Sequence, residues 1–147
     1  MSAAEPLDAH ALAEACATAM MASDEASRHL GMRIESIAPG SAVLSMAIAP
    51  FMLNGHGIAH GGFVFALADS AFAFACNGRD ERTVGQQASI AYIAPTRLGD
   101  TLRASARELH RRARSGLYDV QVTNQRGELV AEFRGHCRVV AGRVLPG

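Results

Sequence analysis

Apolar residues along this chain follow two rhythms, one helical and one alternating. Leu7, Leu12, Cys16 and Met20 recur at helical spacing in an alanine-rich stretch, which predicts a helix over 7–21. A second helical turn is expected from Ser23 or Asp24, both good N-caps, to Leu30, with Gly31 placed to end it. Residues 32–38 and 41–49 flank Pro39-Gly40, a strong turn signal. Ala42, Leu44, Met46 and Ile48 share one face of the second arm, so a hairpin follows. Residues 50–62, with a proline, an Asn-Gly pair and further glycines, form a loop. The stretch 63–76 then has Asp69 and Ser70 as its two polar members. Its length, its alanines and the Asn77-Gly78 ending favour a helix over a strand. A helix apolar nearly all round must be buried on most sides.

From there the alternation takes over. A strand is expected over 83–94, stopping at Pro95. Leu102, Ala104 and Ala106 alternate with polar neighbours, as do Tyr118, Val120 and Val122. After a turn at 124–127, Leu129, Ala131, Phe133, Cys137 and Val139 lie opposite Glu132, Arg134, His136 and Arg138. These are antiparallel strands with one wet side. One strongly apolar sheet face and one nearly all-apolar helix imply an α+β fold, the antiparallel sheet wrapped around a long central helix.

The length of 147 residues suits one domain that buries roughly two-thirds of its unfolded surface. With 14 basic and 14 acidic residues the chain is neutral, which argues against a nucleic-acid partner. The 49% hydrophobic content includes 28 alanines, and no apolar run approaches the roughly 18 residues of a membrane span. The first ten residues lack the basic start of a secretory signal. Cys16, Cys76 and Cys137 have no CxxC spacing and read as buried thiols in a reducing cytoplasm. Every one of the 14 cations is arginine, most simply a matter of genomic base composition.

Asp69 is the most informative residue. A carboxylate midway along a buried helix is expensive unless it is paired, hydrogen-bonded or facing a cleft, so it is either catalytic or a capped structural aspartate. Just before the helix, Gly61 and Gly62 leave backbone N–H groups bare where a helix favours negative charge. They either form an oxyanion hole or merely allow a tight turn. His56 and His60 are four apart, but Gly57 stands where a zinc-binding HExxH motif needs glutamate, so no metal is expected. No Gly-x-Ser-x-Gly elbow or Cys–His arrangement is present.

Distance adds a constraint. An oxyanion donor and a general base must each come within roughly 3–4 Å of the reacting atoms. Eight residues of one helix separate Gly61 from Asp69 by about 12 Å along its axis. Two antiparallel copies related by a two-fold axis would bring one subunit's Gly61 beside the other's Asp69. An active site, if present, is therefore expected between subunits.

Leu53-Asn54-Gly55-His56, then His60-Gly61-Gly62 and Leu67-Ala68-Asp69, resembles the hotdog-fold acyl-CoA thioesterases, and within them the PaaI (PaaD) branch acting on phenylacetyl-CoA or hydroxyphenylacetyl-CoA. Ala75-Cys76-Asn77, Pro95 with Leu98-Gly99-Asp100-Thr101-Leu102, Gly116-Leu117-Tyr118-Asp119 and Phe133-Arg134-Gly135 support it, over residues 30–140. The resemblance implies a hotdog domain over 31–147, preceded by a helical segment at 1–30, in a homodimer usually paired again into a homotetramer. It implies that Asp69 is the catalytic carboxylate, as general base or nucleophile, and that Gly61 supplies the oxyanion N–H from the facing subunit. Asn54 and His60 match positions that orient the thioester or the water, with Gly62 beside them. Where relatives often hold the water with a small hydroxyl residue, this chain has Gly85-Gln86-Gln87, so Gln86 or Gln87 stands in its place. Coenzyme A enters as part of the substrate, with no separate cofactor. Arg97, and the group Arg111, Arg112 and Arg114 before Gly116, are expected as loop cations for its phosphates. Phe63, Phe65, Phe72 and Phe74 either line an acyl pocket or fill the core. Two rival readings stand beside hydrolysis: a hotdog hydratase or dehydratase, which needs an acid/base pair, and a non-catalytic acyl-CoA-binding regulatory module.

Overall fold

The computed structural model describes residues 3–147, and its helices open where a side chain takes over an unpaired backbone group. Asp8 accepts the Ala11 N–H at 2.8 Å and starts α1 (Ala9–Ser23). Asp24 accepts from Ser27 at 2.9 Å and starts α2 (Glu25–His29). The hairpin of β1 (Arg33–Ala38) and β2 (Ser41–Ala47) closes through Pro39-Gly40, with Gly40 at φ 74°, a left-handed conformation natural to glycine. After a short 3-10 turn, Pro50–Met52, comes α3 (Gly61–Cys76). The chain then forms β3 (Thr83–Tyr92), β4 (Thr101–Arg112), β5 (Ser115–Thr123) and β6 (Leu129–Val139).

The six strands among the described residues form one antiparallel sheet ordered β1-β2-β4-β5-β6-β3. The sheet wraps around α3, as the alternation predicts. Leu44 and Met46 of β2, Leu102 and Ala104 of β4, Tyr118 and Val120 of β5 and Phe133 of β6 are buried beneath Leu67, Ala71 and Phe72 of the helix. Small residues let helix and sheet approach: a Cβ on Gly135 would lie 2.8 Å from the Phe72 ring, and one on Gly85 3.3 Å from it. Helix α1 joins the same core through Ala13 and Ala17. No helix among the described residues is long and apolar enough to cross a membrane.

Four boundaries differ from the sequence expectations, each for a local reason. Helix α3 starts at Gly61, two residues early, because the His60 side chain caps it by accepting the Gly62 N–H. Strand β3 stops at Tyr92 because the Ile93 and Ala94 N–H groups both turn to the Val130 carbonyl. The β4–β5 hairpin runs on to Arg112 and Ser115. A register shift between Glu108 and His110 breaks the two-residue period there and turns Leu109 outward. Finally, α3 is not buried all round. Gly62 and Asp69 are exposed, and Ala66 and Ala73 on the same face are half-buried, so one stripe of the helix faces out beside the edge strand β3.

Candidate active site

The loop before α3 is folded around Asn54. Its side-chain oxygen accepts the backbone N–H groups of His56 at 2.9 Å and Ile58 at 3.4 Å, and its main chain bonds with Ile58 and Gly57. With the oxygen held by the loop, the amide NH2 is left as the outward donor. The loop is tied down by His60 N–H to the Met52 carbonyl and Ala59 N–H to the Thr96 carbonyl, both at 2.7 Å. His60 Nδ1 accepts the Gly62 N–H at 2.9 Å, which assigns the ring proton to Nε2 in the neutral imidazole. The Gly61 N–H, at the positive end of α3, has no acceptor among the described residues. The Tyr92 hydroxyl donates to the Gly61 carbonyl at 2.9 Å, and the tyrosine ring lies 2.8 Å from where a Cβ on residue 61 would stand. A larger residue at 61 would therefore displace the Tyr92 ring, so glycine stands here for contact rather than for turn geometry.

Asn54 and Gly61 open into one cavity of about 460 Å³, walled by Ile58, Val64, Tyr92, Ile93, Pro95, Thr96 and Val130. The lining is largely apolar, with a few placed polar groups, as in sites for small organic ligands. Thr96 is buried there and its hydroxyl has no partner among the described residues.

Asp69 lies eight residues further along α3, with no hydrogen bond or ion pair among the described residues. Within its own chain it is therefore neither capped nor paired. Desolvation in its recess raises the carboxyl pKa above the ordinary aspartate value. The recess, about 320 Å³, is lined by Phe72, Ala73, Gly85, Gln86, Gln87 and Ala88. Gln86 is the extra residue where the β3–β6 register shifts between Gly85 and Gln87, so it is released from the ladder beside the carboxylate. The neighbouring Ser70 is engaged elsewhere. It donates to Ser27 at 2.8 Å, because the Ser27 hydroxyl already donates to Asp24 at 2.6 Å.

Asp69 and Gly61 thus line different cavities of one chain. This agrees with the helix rise, by which one copy cannot aim both at one carbonyl. Of the expected residues, the chain brings Asn54, His60, Gly61 and Gly62 together at the helix start, and Asp69, Gln86 and Gln87 together at its middle.

The arginines divide more sharply. Arg97 is exposed in the turn before β4. Its N–H donates to Asp100 at 2.9 Å, and its guanidinium has no partner among the described residues. Asp100 also accepts from Gln125 at 2.8 Å and Arg126 at 3.3 Å, so the Leu98-Gly99-Asp100 motif is a structural turn. Arg111 and Arg112, expected in a loop, belong to β4, and Arg114 occupies the tight turn beyond them. The Arg111 guanidinium is largely covered and 3.5 Å from Glu81, whereas Arg112 and Arg114 are exposed and unpaired among the described residues. Gly116 is likewise no loop residue. It is buried in β5, where a Cβ would meet Cys137 Sγ at 2.8 Å. From Thr101 to Arg112, β4 spans roughly 36 Å at about 3.3 Å per residue, with Arg97 in the turn before its start and Arg112 at its end. One chain cannot offer both ends to one coenzyme.

Phe72 and Phe74 are core residues, with Phe72 packed on Tyr118 and Phe133, while Phe63 and Phe65 are half-buried. Sequence reasoning missed Tyr92 and Thr96. Both flank the Pro95 stop, where the pattern marks an ending and gives no sign of contact with residues some thirty positions earlier.

Residues 56–131 match the family model described as the thioesterase superfamily. The chain is 40% identical over 128 residues to the acyl-coenzyme A thioesterase PaaI of Escherichia coli K12, covering 87% of this chain and 91% of that protein. A solved structure of the E. coli PaaI protein from the phenylacetic acid degradation operon superposes with a TM-score of 0.89 at 39% identity, over 90% of this chain and 96% of that one. A Streptococcus mutans protein solved with acetyl-CoA bound matches with a TM-score of 0.73 at 30% identity, over 76% and 90% of the two chains.

Proposed function

The chain belongs to the thioesterase superfamily, with the hotdog fold of its relatives, and from that membership we propose that it hydrolyses an aryl-acetyl-CoA, of the phenylacetyl or hydroxyphenylacetyl kind, to the free acid and coenzyme A. The observation that carries this reading is the pairing of a bare, desolvated Asp69 carboxylate with a bare Gly61 N–H, each at the mouth of a cavity. A thioester is an activated acyl group, so a carboxylate, a water and an oxyanion hole suffice without a metal.

In this mechanism the thioester carbonyl oxygen accepts from Gly61 N–H and from the Asn54 amide. Negative charge developing there meets the positive end of α3. Asp69 of the facing subunit either removes a proton from the attacking water or attacks the carbonyl carbon itself. Collapse of the tetrahedral adduct breaks the C–S bond and releases the coenzyme A thiolate, which takes up the water's proton. In the second route water then cleaves the acyl–Asp69 anhydride to the free acid. Gln86 and Gln87 beside it provide amides to hold that water. His60 and Gly62 act by keeping the helix start in place. The apolar walls of the 460 Å³ cavity suit an aromatic acyl group. A hydratase would need a second acid or base, and the recess around Asp69 contributes two neutral amides.

The dimer rests on β3. It is an edge strand of ten residues with Val84 and Tyr92 43% and 53% exposed, and it lacks the lysines and prolines that usually guard such an edge. Edge-to-edge pairing there sets two α3 helices side by side and antiparallel. It also brings one subunit's Arg97 toward the other's Arg112 and Arg114, which together take the coenzyme A phosphates. Such dimers pair again as a tetramer. Residues 3–30 serve as a helical arm of the domain over 31–147, and residues 1 and 2 of the expected segment lie outside the described residues. A cytoplasmic location suits three free thiols.

The test is a panel of acyl-CoA esters with release of free thiol as the readout. Preference for aryl-acetyl over straight-chain esters is expected. A flat profile would remove the aryl-acetyl assignment, and no thiol release from any ester would remove hydrolysis.

A further inference from the structure

The geometry points to Tyr92 as a positioning residue: its hydroxyl and the His60 imidazole clamp the Gly61–Gly62 peptide from its two ends and so aim the Gly61 N–H. The carbonyl of that peptide accepts from Tyr92 Oη at 2.9 Å, and its N–H donates to His60 Nδ1 at 2.9 Å. On the other side, the His60 N–H is fixed to the Met52 carbonyl at 2.7 Å. Between these anchors lies Gly61, a residue of the type with the widest backbone freedom.

An oxyanion donor works because it needs no reorganisation when charge develops. Two adjacent glycines supply little of that stiffness themselves. The Phe63 N–H donates to the His60 carbonyl at 3.0 Å and holds one side of the peptide that carries the Gly61 N–H. The Gly61 carbonyl side is left to be fixed from outside. The tyrosine fixes it in two ways: the hydroxyl bonds to the peptide, and the ring packs 2.8 Å from the position a Cβ on residue 61 would take. A larger residue at position 61 would push the ring away and break the clamp. Tyr92 is the last residue of β3, so the clamp ties the helix start to the strand that carries Gln86 beside Asp69. Within one subunit, the donor it gives to one site and the carboxylate it gives to the other are thereby tied to the same strand.

The kinetic half of this assignment rests on the thioester hydrolysis proposed above, and the test separates the two. Tyr92→Phe removes the hydroxyl and keeps the ring, whereas Tyr92→Leu removes both. In Tyr92→Phe, amide hydrogen exchange at Gly62 is expected to speed up about 2–10-fold, the effect of one lost hydrogen bond, with the melting temperature unchanged. This readout needs no turnover. With a CoA ester that the wild type hydrolyses, kcat is expected to fall about tenfold while KM stays within about twofold. Wild-type Gly62 exchange in Tyr92→Phe would overturn the clamp, whatever the activity. A Tyr92→Phe enzyme with wild-type kcat beside an impaired Tyr92→Leu would also overturn it, since ring packing alone would then be the role. So would a loss of activity accompanied by dissociation of the oligomer. Absence of thiol release by the wild type, with Gly62 exchange still faster in Tyr92→Phe, would sink the hydrolytic reading and leave the clamp standing.

Discussion

Gly61 and Asp69 stand on the same helix, eight residues apart, yet face two different cavities. A reaction that uses both must take one from each of two subunits. Mixing Asp69→Asn subunits with Gly61→Ala subunits tests this directly. Half of the reassorted dimers are mixed, and each mixed dimer regains one intact site, so about a quarter of wild-type activity should return from two inactive parents. No recovery after verified subunit exchange would place the site within one chain.

Asp69 should matter for rate and not for folding. Asp69→Asn keeps the shape and deletes the charge, and turnover is expected to fall about 10²–10⁴-fold, the usual contribution of a positioned base. Because burial disfavours the ionised carboxylate, its removal should leave the melting temperature at neutral pH equal to or above that of the wild type. Thermal unfolding and kinetics on the same preparation give both numbers. A clear loss of stability would mean that Asp69 has a structural role.

The pH behaviour of two aspartates should run in opposite directions. Asp69 titrates above the ordinary aspartate value, so the acid limb of kcat/KM should fall at a pH above that value. Its ionisation works against stability: the penalty begins as pH rises past the unfolded carboxyl value and is complete above the folded one. Asp100 is shifted the other way, chiefly by the Arg97 N–H and then by the Gln125 amide. Its stabilisation is present above the unfolded value of about 3.9 and is lost as pH falls through the lower folded value. Asp100→Ala is expected to cost about 1–2 kcal/mol at neutral pH, with the difference from wild type shrinking in acid. Urea titrations at pH 7 and pH 3 measure both ends.

Gly135 is a packing residue with a consequence for the site. Gly135→Ala would drive a methyl to 2.8 Å from Phe72, a ring that is 1% exposed and has Tyr118 and Phe133 against it. Overpacking of this kind costs about 1–3 kcal/mol, seen as a lower denaturation midpoint. Phe72 also floors the Asp69 recess, so kcat should fall as well. The same substitution at Gly127, where a Cβ meets nothing within 4 Å, is strained by its φ of 77° but should leave kcat alone.

The inner face of the sheet was legible because Leu102, Ala104 and Ala106, or Tyr118, Val120 and Val122, repeat with the period of the pleat itself. Gly61 and Asp69 stand out because their chemistry is out of place locally, an acid in an apolar helix and bare glycines at its start, whereas Asn54 enters only through the family resemblance. What escaped depends on three dimensions. The end of β4 was hidden by one irregular step at Glu108–His110, which reverses the phase of everything after it. Arg97 and Arg112 were both expected as loop cations for the phosphates, and β4 places them beyond its start and at its end. Asp69 was expected on a helix buried on most sides, with any active site between subunits. Its apolar neighbours Ala66 and Ala73 describe a surface that meets something, and composition does not say whether that is the same chain or another copy. The Tyr92 contact with Gly61 spans 31 positions and follows from the fold alone.

Gln86 sits where β3 carries one residue more than its partner strand. A residue outside the ladder contributes no cross-strand bond, so exchanging it leaves the register of its neighbours untouched. Mutation can therefore sample serine, threonine or asparagine beside Asp69 while the sheet stays as it is. The bulge gives this scaffold a variable slot next to its most constrained residue, a place where lineages can diverge in what they hydrolyse without first having to refold.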